Sequence, residues 1–334
     1  MNNITLVKFE DDAPDVSETK SLRTITLHDL QAMIIPAKVM LLAPIIPAKG
    51  LIMAFAQRGI GKTFLGLNIA YAVASGGKFL RWNAPQARPV LYVDGEMPLE
   101  ALQERVNMLT QSSDRYLPTS EHFRFLALDM QPLGVSLNLA LPDHQALLEA
   151  QIGNAELIVF DNLSTLVSDG RENDAESWDS MQAWLLRLRR MGKTVLLIHH
   201  AGRGENARGT SKREDVLNTV ISLKRPANYQ PTEGARFEVH LTKTRGIIGD
   251  GALPFEAKLE TEDGVCKWVT SEIMDPEMLQ VMELTDANIS IRDIARELEM
   301  SKSKVQRLQA KGNARRDANG AVQCTVPTVP NLVP

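Results

Sequence analysis

The run Ala56-Gln57-Arg58-Gly59-Ile60-Gly61-Lys62-Thr63, followed by Phe64, carries the most legible chemistry in this 334-residue chain. An apolar segment precedes it and a helix-forming segment follows. A glycine-rich turn between a strand and a helix presents backbone N–H groups to anions, and the helix N-terminus adds a partial positive charge. In that setting Lys62 reaches the β- and γ-phosphates of a nucleoside triphosphate, here expected to be ATP, and the Thr63 hydroxyl ligates Mg²⁺. Residues 56–64 are the candidate nucleotide-binding segment. One position departs from the pattern GxxxxGK[ST]: Ala56 stands where the first glycine belongs. A Cβ there costs about 1 kcal/mol if the backbone needs positive φ, so nucleotide binding is a safer expectation than fast turnover.

Further candidates end other apolar runs. Asp161 closes Leu157-Ile158-Val159-Phe160-Asp161, where a carboxylate at the edge of a parallel sheet holds the Mg²⁺ water shell opposite Thr63. Glu96 follows Val90-Leu91-Tyr92-Val93-Asp94-Gly95 and is the candidate general base on the attacking water, with Asp94 as the alternative. His199 and His200 end the run from Thr194 and are candidate γ-phosphate sensors. The bland alternatives are turn carboxylates flanking Gly95 and one buried plus one exposed imidazole.

Two stretches suit nucleic acid. Between Arg187 and Arg213 there are eight Lys or Arg residues and one acid, Glu205. They run into a loop rich in glycine and small polar residues. It lacks aromatics for base stacking, so any binding there is backbone-driven and salt-sensitive. Residues 290–308 resemble a helix-turn-helix unit. Ile294, Leu298, Met300, Val305 and Leu308 fall at core positions, with Ala295 at the helix crossing. The second helix, expected over 301–311, carries Lys302, Lys304, Arg307 and Lys311 against a phosphate backbone. Ser303, Gln306 and Arg307 can reach base edges. The turn position, often glycine, is Glu299. The alternative is a helical hairpin for protein contacts.

The motifs AQRGIGKT, VLYVDGEMP, LIVFDNLSTL, VLLIHHAGRGENARGTS and HLTKTRG, in this order, resemble the RecA-like ATPases. Within them they resemble the RepA-type hexameric replicative helicases of plasmids and phages. The resemblance spans about residues 40–260. It implies a RecA-like fold, a catalytic role for Glu96, a metal role for Asp161, sensing by His199 and His200, and a hexameric ring. It also implies that Arg208 acts as an arginine finger in the neighbouring subunit's site. Lys243 and Arg245 look like further basic residues acting across that interface. Such a guanidinium stabilises the charge of the transferring phosphoryl group and couples hydrolysis to assembly.

Positioning these residues takes an α/β sheet. Apolar runs over 51–55, 89–94, 123–128, 157–161 and 194–199 predict strands covered on both faces. Helical windows over 62–75, 99–110, 142–152 and 172–191 alternate with them, which gives parallel strands with crossovers. Shorter strands over 218–223, 235–242, 253–259 and 265–270 are expected to extend one edge of the same sheet. The domain reading is a mobile arm over 1–24, a RecA-like P-loop ATPase domain over 25–272 opening with a short helix capped by Thr26, a small all-α helix-turn-helix over 273–316, and a disordered tail over 317–334.

Bulk properties limit the alternatives. A net charge of −4 rules out a uniformly basic coat. Cys266 and Cys324 form no metal-ligand spacing, no secretory leader is legible, and the longest apolar stretch is too short for a bilayer. A cytoplasmic protein without membrane contact is expected. The functional expectation is a Mg-ATP-dependent DNA motor or remodelling ATPase in replication of a mobile element. Its rivals are an ATP-switched DNA-binding regulator, mildly favoured by Ala56, and a signalling ATPase acting on proteins.

Overall fold

The computed structural model describes residues 22–111, 118, 121–167, 175–201, 214–262, 265–273 and 276–322. The chain forms two units, residues 1–38 and 39–334. In the first, helix α1 (Leu27–Ala32) starts at Thr26, whose hydroxyl accepts the Asp29 N–H at 3.1 Å. No residue of α1 is buried, although Leu27 and Leu30 are apolar.

The second unit is built on a nine-stranded sheet. Its parallel part contains β3 (Leu51–Ala56), β6 (Val90–Asp94), β7 (Phe123–Ala127), β8 (Leu157–Asp161), β9 (Thr194–His200) and β10 (Thr219–Lys224). An antiparallel extension follows with β11 (Arg236–Thr244), β12 (Phe255–Glu262) and β13 (Val265–Glu272). The order across the sheet is β13-β12-β11-β10-β3-β9-β8-β6-β7. The later strands therefore extend one edge, as expected. Two small hairpins lie apart from it: β1 (Met40–Leu42) with β2 (Ile46–Pro47), and β4 (Lys78–Phe79) with β5 (Trp82–Asn83).

Continuous apolar strands need cover on both faces, and the residues divide accordingly. Ile52, Ala54, Val90, Tyr92, Val159 and Ile198 join one core with α2 (Lys62–Ser75) and α3 (Leu99–Gln111). Their neighbours Leu51, Met53, Leu91, Ile158 and Leu197 join a second core with α4 (Pro142–Ile152), α5 (Leu163–Leu166) and α6 (Ala175–Arg190). Period-two alternation thus feeds two cores from one set of strands.

The C-terminal helices are α7 (Pro276–Asp286), α8 (Ile291–Glu297) and α9 (Lys302–Val322). Ile294, Ala295, Val305 and Leu308 are buried with Met278, Val281 and Met282 of α7, and Leu298 and Met300 pack against them. Glu299, at the expected glycine position of the turn, has φ 52°. Helix α9 runs well past the expected end at Lys311. Gly312, which reads as a terminator, instead packs against Met282: a Cβ there would lie close to the Met282 thioether. No helix among the described residues is long and apolar enough to cross a membrane.

Candidate active site

Parallel strands deliver their C-terminal ends to one edge of the sheet. Ala56 is in register with His200, and Asp94 with Asp161. Four of the segments that the sequence singles out, those of the phosphate loop, Glu96, Asp161 and the histidine pair, therefore meet at one edge.

The loop from β3 to α2 turns through Gly59 (φ 76°) and Gly61 (φ 117°), conformations that L side chains rarely adopt. Lys62 enters α2 buried, 6% exposed, and its ammonium donates to the carbonyls of Ala56 at 3.1 Å and Gln57 at 2.8 Å. Burial lowers its pKa to about 8, opposed by the charges of Asp161 and Glu96. The ammonium is thus positioned by neutral carbonyls in a site that favours an incoming anion. The strain expected at Ala56 is absent. Ala56 is the last residue of β3 and does not have positive φ; its carbonyl accepts the Ala201 N–H at 2.8 Å. The turn begins after it, so a Cβ is tolerated there.

Asp161 is 3% exposed. Its carboxylate accepts the Tyr92 hydroxyl at 2.7 Å and a hydrogen bond from the Thr63 side chain. Burial raises its pKa, and these two hydrogen bonds oppose the rise. The two expected metal residues, Thr63 and Asp161, are therefore brought together. Tyr92 was missed: within an apolar strand nothing marks a tyrosine as the group that orients a carboxylate two residues along the neighbouring strand.

Glu96 projects from the loop after β6, with its side chain 56% exposed. Its Oε2 accepts from Asn162 Nδ2 and lies 3.9 Å from His200 Nε2. Asn162 also caps α5 through the Ser164 N–H at 2.9 Å. Asp94 does different work. Its Oδ1 accepts the Glu96 N–H at 3.2 Å and the Met97 N–H at 2.8 Å, and burial raises its pKa to about 6. At 2% exposure it braces the loop that carries Glu96, which makes Glu96 the accessible base of the two. Gly95 allows the close approach. A Cβ there would meet Leu166 Cδ2 and Thr165 Oγ1 at 2.7 Å, so only glycine lets α5 seat Asn162 beside Glu96. Of the histidine pair, His199 is fully buried, and His200 lies beside the Glu96 carboxylate.

The remaining loop residues divide by exposure. Gln57 and Arg58 face solvent, whereas Ile60 is buried in the core. Arg225, following β10, was also missed. Its guanidinium donates to the Gly59 carbonyl at 3.0 Å and stacks over the Tyr229 ring, 3.9 Å from its centroid. A separation of 166 residues hides that contact from any local motif. Phe64, half-buried, lies under the Arg105 guanidinium at 5.1 Å. From Phe64 a cavity of about 250 Å³ runs past Asn68 and Tyr71 of α2, closed by Arg105 and Met108 of α3 and Trp268 of β13.

Lys243 and Arg245 lie elsewhere. Their end of β11 pairs with the start of β10, which pairs in turn with the start of β3, at the sheet edge opposite the phosphate loop. Lys243 donates to the Glu214 carbonyl and Arg245 to that of Asp215. Arg208 lies outside the described residues. On α9, Lys302, Ser303, Gln306, Arg307 and Lys311 are exposed. Lys304 is only half-exposed, with its ammonium 2.7 Å from Glu277 of α7.

Among the described residues no three carboxylate, histidine or cysteine groups converge on a metal position. A divalent ion at Thr63 and Asp161 would therefore be held jointly with phosphate oxygens, the usual habit of Mg²⁺. One strand, β9, separates the strand of the phosphate loop from the strand of Asp161, and the glutamate follows the next strand over. That layout and its buried lysine define a P-loop ATPase of RecA-like fold. The chain belongs to the AAA domain family, whose model matches residues 14–206. Among solved structures, it is similar to a KaiC-like protein of the hyperthermophilic archaeon Pyrococcus horikoshii. The identity is 15%, the coverage 67% of this chain and 90% of that one, and the TM-score 0.46. The flagellar accessory protein FlaH of Methanocaldococcus jannaschii is similar at 13% identity, with coverage of 67% and 91% and a TM-score of 0.46. Comparison with curated proteins finds no match.

Proposed function

We propose that this chain is a Mg-ATP-driven, DNA-associated motor that works as a ring, hexameric by the resemblance, in the replication of a mobile element in the cytoplasm. The observation that carries the catalytic part is the convergence of Lys62, Thr63, Asp161 and Glu96 at one sheet edge, with Glu96 accessible to water.

In this reading the glycine loop and α2 bind the phosphates, and Lys62 sits against the β- and γ-phosphoryl oxygens. Thr63 and Asp161 would hold Mg²⁺, which would supply charge neutralisation for the transferring group. Glu96 takes a proton from water as its oxygen bonds to the γ-phosphorus and the bond to the ADP oxygen breaks. Asn162 and His200 orient the carboxylate.

Assembly enters through the basic residues. Lys243 and Arg245 lie at the edge opposite their own phosphate loop, so any bound nucleotide they approach belongs to a neighbour. Arg208 is the proposed finger in that neighbour's site. The exposed cations of α9 and the compact three-helix core beneath them support docking of a helix-turn-helix on duplex DNA. The basic segment 187–213 is the candidate single-strand contact.

The test is ATPase activity with and without single- and double-stranded DNA, paired with mass measurement with and without ATP. A motor is stimulated by single strands and assembles. Sequence-specific duplex binding without stimulation would favour the regulator. Absence of any salt-dependent nucleic-acid binding would overturn both DNA readings and leave the ATPase acting on proteins.

A further inference from the structure

Arg225 belongs to none of the motifs legible in the sequence, yet it meets the phosphate loop at a turning glycine. Its guanidinium donates to the Gly59 carbonyl at 3.0 Å, and Gly59 has φ 76°. The Gly59–Ile60 peptide is trans, so its carbonyl and its N–H point in opposite directions. A donor that holds this carbonyl therefore also sets where the Ile60 N–H points. Among the described residues no backbone carbonyl accepts that N–H. Glycine gives the backbone here both signs of φ, so without a restraint the peptide is easily turned.

The restraint is itself mounted. The Arg225 guanidinium stacks over the Tyr229 ring, 3.9 Å from its centroid. A stacked, planar guanidinium loses less freedom on making a hydrogen bond than an unsupported chain does. Tyr229 is tied at both ends: its hydroxyl donates to the Gly234 carbonyl and its N–H to the Pro226 carbonyl, each at 3.0 Å. Arg236 braces the same connection. It donates to Asn228 Oδ1 at 3.0 Å and pairs with Glu233 at 2.9 Å and Glu256 at 2.8 Å. The next residue, Phe237, reaches the phosphate loop at a second point, where a Cβ added to Gly61 would meet its ring at 3.4 Å. Both positive-φ glycines of the loop are thus touched by the single segment 225–237.

We infer that Arg225 is a positioning residue for phosphate binding: mounted on Tyr229, it holds the Gly59 carbonyl and so presents the Ile60 N–H to the phosphates. The inference rests on the phosphate-site reading above. It differs from a role for Arg225 as a cation facing the nucleotide. A charge acts at a distance and is screened by salt, whereas a mount acts only through the geometry of the loop. N–H groups set in place before the anion arrives bind it more tightly, because their ordering is not a cost of binding.

The test measures binding of Mg²⁺ complexes of tripolyphosphate and AMP-PNP by calorimetry in wild type, Arg225→Ala, Tyr229→Leu and Tyr229→Phe, with hydrogen exchange of the unliganded proteins. Arg225→Ala should weaken both ligands alike, by about fivefold or more, because the effect falls on the phosphates. Tyr229→Leu keeps the charge of Arg225 but removes its mount, and should lose most of the same affinity. Tyr229→Phe keeps the ring and should recover most of what Tyr229→Leu loses. Amide exchange over residues 57–62 should quicken in the two weakened proteins while β8 and β9 stay protected. Tripolyphosphate binding by Arg225→Ala equal to that of wild type overturns the inference. So does full affinity in Tyr229→Leu beside a loss in Arg225→Ala, which would make Arg225 a charge rather than a mount. Faster exchange throughout β8 and β9 in both weakened proteins also overturns it, since the loss would then be one of the whole fold. If tripolyphosphate binds Lys62→Ala as well as wild type, the phosphate-site reading itself fails and this inference falls with it.

Discussion

Lys62 is a cation held where cations are costly. Burial takes its pKa from 10.5 to about 8, so the ammonium is half charged near pH 8 and loses its charge above it. As pH rises through 8 the site loses the charge that triphosphate needs. Affinity for AMP-PNP should therefore fall above pH 8, by up to about tenfold per pH unit, with proton uptake on binding. Calorimetry in buffers of different ionisation enthalpy measures both, and a flat profile to pH 9.5 would contradict the depressed pKa. The same group bears on stability with a definite sign. Unfolded Lys62 keeps its proton to 10.5, so between pH 8 and 10.5 the unfolded state binds more protons, and this residue's contribution to stability rises with pH. The two carboxylates at the end of β6 and in the loop after it separate equally cleanly. Asp94→Asn keeps an acceptor for the Glu96 and Met97 N–H groups, so steady-state turnover should stay within about threefold of wild type. A loss of 100-fold would return the base to Asp94. At this scale the motif residues Lys62, Thr63, Glu96 and Asp161 were legible because loop chemistry demands those types at those spacings. Tyr92, Asn162 and Arg225 were not, since their roles exist only once separate segments meet.

The elements set how tightly those residues are held. Gly95 is the point where α5 and the loop after β6 touch, and Gly95→Ala places a methyl 2.7 Å from both Leu166 Cδ2 and Thr165 Oγ1. Relief must shift Glu96 or Asn162. A displacement near 1 Å at a reacting group costs on the order of 100-fold in rate. Steady-state assays should find kcat reduced toward that extent while AMP-PNP affinity is kept; unchanged kcat would mean that the loop absorbs the methyl elsewhere. In the C-terminal helices Glu299 adopts φ 52°, so Glu299→Gly should stabilise the α8–α9 turn by about 1 kcal/mol. Hydrogen exchange of the α8 and α9 amides reads this directly, and faster exchange would contradict it. The main strands and helices were legible because strands covered on both faces are apolar throughout and helices are not. The hairpins β1–β2 and β4–β5 and the four-residue α5 are too short to show a period. The length of α9 was misjudged because a glycine used for close packing looks, in sequence, like a glycine that ends a helix.

At the scale of the whole molecule, the proposed function assigns Lys62, Thr63, Asp161 and Glu96 to one chain and the remaining cations to a neighbour. Mixing tests that division. Rings containing both Lys62→Ala and Arg208→Ala subunits should retain some turnover, because a wild-type finger can face a wild-type phosphate loop. Deleting residues 286–334 should leave ATP binding intact and weaken duplex DNA binding in a titration at fixed salt. Unchanged DNA affinity would make the deleted segment, with α8 and α9, a protein-contact module. These claims all rest on one: that the buried lysine and the exposed glutamate at this sheet edge form a working hydrolytic site. The most direct test compares wild type with Glu96→Gln, measuring ATP binding and phosphate release on the same preparations. Both proteins should bind Mg-ATP alike, and Glu96→Gln should lose turnover by about 100-fold or more. Normal phosphate release by Glu96→Gln would contradict the account.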